Sequence, residues 1–111
     1  MLYDDYVSAN SCELADEDKE IVKNSMKELE RTLKSLANRR RLGIVQFLKK
    51  RKEASVGELA EAIHLSFRST SRHLAVLSGA GILEKEQRSI QVYYRLNPQK
   101  SPTLEHILLL L

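Results

Sequence analysis

SVGELAEAIHLSFRSTSRHL, residues 55–74, contains two helix starts and one tight turn. Ser55 and Glu58 have the spacing of a capping box, in which a hydroxyl and a carboxylate three residues apart each take a backbone N–H of the other. The spacing predicts a short helix through Leu59, Ala60 and Ile63. His64 and Leu65 turn the chain, and Ser66 caps a second helix, Phe67 to about Ser78, with Leu74 and Leu77 on its buried face. Gly79 and Gly81 end it.

Downstream the apolar period drops to two. Ile82 to Glu86 reads as one strand, and Ile90, Val92, Tyr94 and Leu96 alternate with polar residues in another, with Gln87-Arg88-Ser89 as a hairpin tip. Pro98 and Pro102 break the chain, and Ser101 with Pro102 starts a last helix through Leu111. Upstream, Asn38 caps a helix from Arg39 to about Arg51 with a broad apolar face of Leu42, Ile44, Val45, Phe47 and Leu48. Before it Val22, Met26, Leu29, Leu33 and Leu36 recur at steps of 4, 3, 4 and 3, an apolar seam along one helix face. That seam either packs on the domain's own core or is shared with a second subunit. Residues 1–17 keep no period and read as an acidic arm, partly ordered at best; residues 18–111 form the domain. The expected fold is mainly α with a β-hairpin wing, in the order α-α-α-α-β-β-α: a winged helix-turn-helix.

The 111 residues suffice for one domain, with 42% hydrophobic and 30% charged side chains. No apolar run approaches the ~20 residues that cross a bilayer. The start Met-Leu-Tyr-Asp-Asp carries acid where a secretory signal needs positive charge. The single Cys12 forms no internal disulfide and sits beside Glu13 and Asp16, which raise a thiol's pKa, so an inert thiol is expected rather than a redox switch. A cytoplasmic protein is expected. The net charge of +3 is unevenly divided: residues 1–30 hold 9 acidic and 3 basic side chains, and residues 31–111 hold 15 basic and 6 acidic. The basic body implies a polyanionic partner.

The second helix of the pair supplies the chemistry for one. Arg68, Ser69, Thr70, Ser71, Arg72 and His73 crowd its first turns behind Ser66. Arginine takes guanine bidentately in a major groove, and hydroxyls reach phosphates or base edges.

Four segments, Leu36-Ala37-Asn38-Arg39-Arg40-Arg41-Leu42, Glu58-Leu59-Ala60, Leu65-Ser66-Phe67-Arg68-Ser69-Thr70-Ser71-Arg72-His73-Leu74 and Val92-Tyr93-Tyr94-Arg95-Leu96, resemble the arsenic-repressor (ArsR) family of winged helix-turn-helix regulators. The resemblance runs from about Leu33 to Leu96. It implies a homodimeric repressor of a palindromic operator, dimerised through its first and last helices. Here those would offer Val22, Met26, Leu29 and Leu33 with Ile107, Leu108 and Leu111. The chain departs from the family pattern at three places. Asn38-Arg39-Arg40-Arg41 replaces the usual Asp-Pro-Thr-Arg, and the wing tip is Glu86-Gln87-Arg88-Ser89 where a basic, Gly-containing tip is common. Phe67 stands where a polar residue is expected, and either packs inward or meets a thymine methyl.

No metal site and no cofactor are expected. Ser55 and Gly57 occupy the positions at which arsenic and cadmium sensors of the family carry a Cys-x-Cys pair, and Glu105 and His106 alone match the last-helix ligands of its zinc and nickel sensors. There is no phosphate-cradling Gly loop, nucleophile elbow or carboxylate pair, which argues against an enzyme. The function expected is sequence-specific binding of double-stranded DNA by a homodimer. Ser66, Arg68, Ser69, Thr70, Ser71, Arg72, His73, Arg39, Arg41, Lys85 and Arg88 form the DNA surface, and no effector is assigned. Two readings stand against this: a winged helix that docks proteins, and a repressor with an unrecognised metal or redox effector.

Overall fold

The computed structural model describes residues 15–111; most of the expected arm, with Cys12, lies outside the described residues. The chain divides into two units, residues 1–30 and 31–111. Helix α1 runs Asp16–Leu36 and starts six residues before Val22, the first residue of the apolar seam, because Asp16, Glu17 and Asp18 in its first turn complement the helix dipole. Val22 and Met26 are exposed along it.

In the second unit α2 (Arg39–Arg51) follows an Asn38 cap whose side chain accepts from the backbone N–H of Arg40 and Arg41. Strand β1 (Glu53–Ser55) leads into α3 (Val56–Ile63), and α4 (Phe67–Gly79) follows. The wing is β2 (Leu83–Arg88) and β3 (Gln91–Leu96), and α5 (Pro102–Leu110) closes the fold behind its Ser101 cap, with Pro102 in the first turn. All four caps read from the sequence are formed, since each is satisfied by a neighbour within three residues.

Three features differ from expectation. The hairpin turns at Ser89 and Ile90 rather than over Gln87-Arg88-Ser89: Arg88 pairs with Gln91, and Ser89 takes the left-handed conformation (φ 58°) that tight hairpin turns require. Ile90, expected inside the second strand, is therefore 93% exposed at the tip. Second, the wing is part of a three-stranded antiparallel sheet in the order β1-β3-β2, with Ala54 opposite Tyr94. Third, Leu108 is buried in the core, and the exposed leucines of α5 are Leu109 and Leu110.

The core joins Leu36, Ile44, Val45 and Leu48 to Leu59, Leu74, Leu77, Tyr94, Leu104 and Leu108. Lys49, in the last turn of α2, donates from Nζ to the Leu108 carbonyl at 2.7 Å, placing a cation at the negative end of α5. Gly81 carries φ +79° just past α4, a conformation that a side chain would strain.

Candidate nucleic-acid interface

The turn between α3 and α4 is three residues long and locally determined. Ser55 Oγ accepts from Glu58 N at 3.2 Å while Glu58 Oε1 accepts from Ser55 N at 3.0 Å. Hydrogen bonding from the Ser55 backbone N–H, and then from the Ser55 side chain, holds the Glu58 carboxyl below the ordinary range. His64 closes α3 in the left-handed region (φ 56°), and its N–H reaches the carbonyls of Ala60 and Glu61. Ser66 Oγ then accepts from Ser69 N at 3.1 Å and starts α4.

Along α4, Thr70, Leu74 and Leu77 point into the core. Arg68 and Arg72 lie one turn apart on the outer face with Phe67 and Ser71 beside them. Both guanidinium groups are exposed and make no ion pair among the described residues. Thr70, read from the sequence as part of the surface, is fully buried, and its hydroxyl donates to the Ser66 carbonyl at 2.8 Å. It braces the helix start instead. Ser69 is half-buried.

Three consecutive arginines begin α2, and the structure separates their roles. Arg41 shares the face of Ile44, Val45 and Leu48, and its Nε donates to His73 Nδ1 on α4 at 3.2 Å. Arg39 and Arg40 are exposed without an ion pair among the described residues. Counting back from Ile44 and Val45 at helical spacing puts Arg41 on the buried side and Arg40 on the outside, so the signal was present.

The wing is electrically balanced. Arg88 clasps the Glu53 carboxylate with two hydrogen bonds of 2.9 and 2.8 Å and also binds Glu86 at 2.8 Å, while its guanidinium lies over the Tyr93 ring. Arg95 pairs with Glu84 at 2.7 Å and with Glu86 at 3.4 Å. All these groups lie on one face of the sheet, because 84, 86 and 88 alternate in register with 93 and 95. The Glu53 carboxyl is held below its usual range, first by its hydrogen bonds from Arg88. Lys85 points to the other face and is exposed. Glu53 could not be selected from sequence, because its partner lies 35 residues away.

Among the described residues no group of three or more His, Cys, Asp or Glu side chains is placed to hold a metal ion. No helix among them is long and apolar enough to cross a membrane.

A capped helix, a left-handed three-residue turn, a second helix with two outward arginines and a β-hairpin behind it define the winged helix-turn-helix class of protein. The sequence profile described as bacterial regulatory protein, arsR family, matches residues 38–85, which carry α2 through the start of the wing. The chain is 40% identical over 78 residues to the transcriptional activator HlyU of Vibrio cholerae, a match covering 70% of each protein. It is 42% identical over 65 residues to the arsenical resistance operon repressor of Escherichia coli, covering 59% of this chain and 56% of that protein; the chain thus spans little more than half of that relative. The solution structure of the homodimeric winged helix-turn-helix DNA-binding domain Mb0332 from Mycobacterium bovis superposes with a TM-score of 0.69 at 25% identity, over 87% of this chain and 82% of that one. The chain belongs to the ArsR family, a family of DNA-binding transcriptional regulators and not of enzymes.

Proposed function

We propose that this chain is a homodimeric transcriptional regulator, in the repressing sense, that sets α4 into the major groove of a palindromic DNA operator. The observation that carries the reading is the pair Arg68 and Arg72. They lie one turn apart on the outer face of α4 and are free of carboxylates among the described residues, whereas the arginines of the wing are paired. In the groove each can take guanine bidentately. Arg39, Arg40 and Lys85 supply phosphate contacts, with Ser66, Ser69 and Ser71 as hydroxyl donors near the helix start. Arg41 and His73 serve by fixing α2 to α4, and Arg88 by stiffening the wing.

Dimerisation is supported by two apolar surfaces that one copy leaves uncovered. Val22, Met26 and Leu33 are exposed on α1, and Leu109 and Leu110 on α5, the latter 84% exposed. Leu29 and the half-buried Ile107 and Leu111 border these two surfaces, whereas Leu108 belongs to the core. The family neighbour Mb0332 is described as homodimeric. Two copies related by a two-fold axis read a palindrome.

The test is selection of bound sequences from a random duplex pool by the full chain. An enriched palindrome is the expected result. No enrichment overturns the reading and favours a winged helix that docks a protein.

A further inference from the structure

Phe67 opens α4 with 63% of its surface exposed, between the Ser66 cap and Arg68. It belongs to no part of the core cluster. Its ring forms one wall of an open cleft of about 180 Å³ whose other apolar walls are Val56, Ile90 and Val92, and most of its surface is left to solvent. Phe67 therefore does not pack inward, and a phenyl ring facing water is unfavourable. It stands beside Arg68 and one turn before Ser71, at the edge of the face offered to DNA.

A major groove is lined with hydrogen-bond donors and acceptors, and its one apolar group is the C5-methyl of thymine. A phenyl ring at the first turn of a helix seated in that groove has a single kind of apolar partner. We propose that Phe67 is a specificity-determining residue that reads a thymine methyl in each half-site. The proposal rests on the DNA-binding reading above and adds to it a base preference that neither arginine supplies, since Arg68 and Arg72 select guanine.

Deoxyuridine isolates this contact. It deletes the methyl of thymidine and keeps every hydrogen-bonding group. In the site selected by the wild-type chain, each thymidine is replaced singly and the affinity measured. The expected result is a loss of about fourfold at one position of the half-site, the worth of one buried methyl group, and equal affinity elsewhere. Phe67→Ala binds the thymidine and deoxyuridine duplexes equally. Phe67→Ser carries the same comparison should the alanine variant fold poorly, and Phe67→Leu retains part of the preference. Uniform wild-type affinity for every substituted duplex overturns the inference and leaves the DNA-binding reading standing. The same fourfold loss persisting in the alanine or serine variant also overturns it, since another residue then reads the methyl. Failure to select any site overturns both.

Discussion

The Nε of Arg41 donates to Nδ1 of His73 at 3.2 Å, latching the first turn of α2 to α4. An arginine always donates, so Nδ1 must carry no proton and the imidazole is neutral with its hydrogen on Nε2. Burial holds the His73 pKa below its ordinary 6.5, and the charges of Arg41 and Arg40 push the same way. Folding thus disfavours the imidazolium. As pH falls through 6.5 the unfolded chain takes up the proton first, and stability is lost until the folded value is passed. Denaturant midpoints measured between about pH 7.5 and 5.5 should decline in the wild type. His73→Gln should show a shallower decline, because the imidazole that folding keeps neutral is gone. An identical slope in the variant would assign the pH dependence to another group.

Arg68 and Arg72 should separate from the cations of α2 in a salt series. Arg72→Ala is expected to cost about 1–3 kcal/mol on the selected palindrome and less on a scrambled duplex. Arg39→Ala and Arg40→Ala should weaken both duplexes alike and lower the log-log salt slope by about 1 each. Arg88→Ala should change that slope by less, because its charge is already met by Glu53 and Glu86. A full unit of slope lost on removing Arg88 would put that guanidinium on a phosphate.

The capping box at the start of α3 sets the entry to the helix pair. Ser55→Ala removes the hydroxyl acceptor of the Glu58 N–H and leaves the backbone N–H of residue 55 to donate to the Glu58 carboxylate, for an expected loss of ~1 kcal/mol. Urea unfolding should show a lower midpoint with an unchanged slope. No shift in the midpoint would mean that tertiary packing alone holds the turn.

For the dimer, light scattering at tens of micromolar, roughly the regime of weak association, should give twice the chain mass. Met26→Glu on α1 and Leu110→Glu on α5 each place a charge on an exposed apolar position. Either should raise the dimer dissociation constant by roughly 100-fold, the worth of one to two buried leucines. A wild-type chain that scatters as a monomer would remove the palindrome argument with it.

Features settled within one helical turn are legible in the sequence. Asn38, Ser55, Ser66 and Ser101 each cap a helix because the N–H they accept lies two or three residues on. The helix-turn-helix and its outward arginines followed from those caps and from the 3.6-residue spacing of Leu74 and Leu77. The hairpin was legible as an alternation, but its turn was not. Gln87-Arg88-Ser89 carries no glycine, and Ser89 adopts a positive φ because pairing of Arg88 with Gln91 demands it.

By itself the sequence determined the order of helices and wing, the caps, the polar start of α4 and the basic body, since each depends on neighbours along the chain or on composition. The tertiary structure alone decided what distant residues do to one another. Strand β1 is three residues long and exists because β3, some forty residues later, supplies its partners. Arg88 is held in the wing because that pairing brings Glu53 beside it, Arg41 is spent on His73, Thr70 is buried and Phe67 is left uncovered. A side chain's availability depends on which groups the folded chain brings within hydrogen-bonding reach, and for these residues those groups come from other elements of the fold.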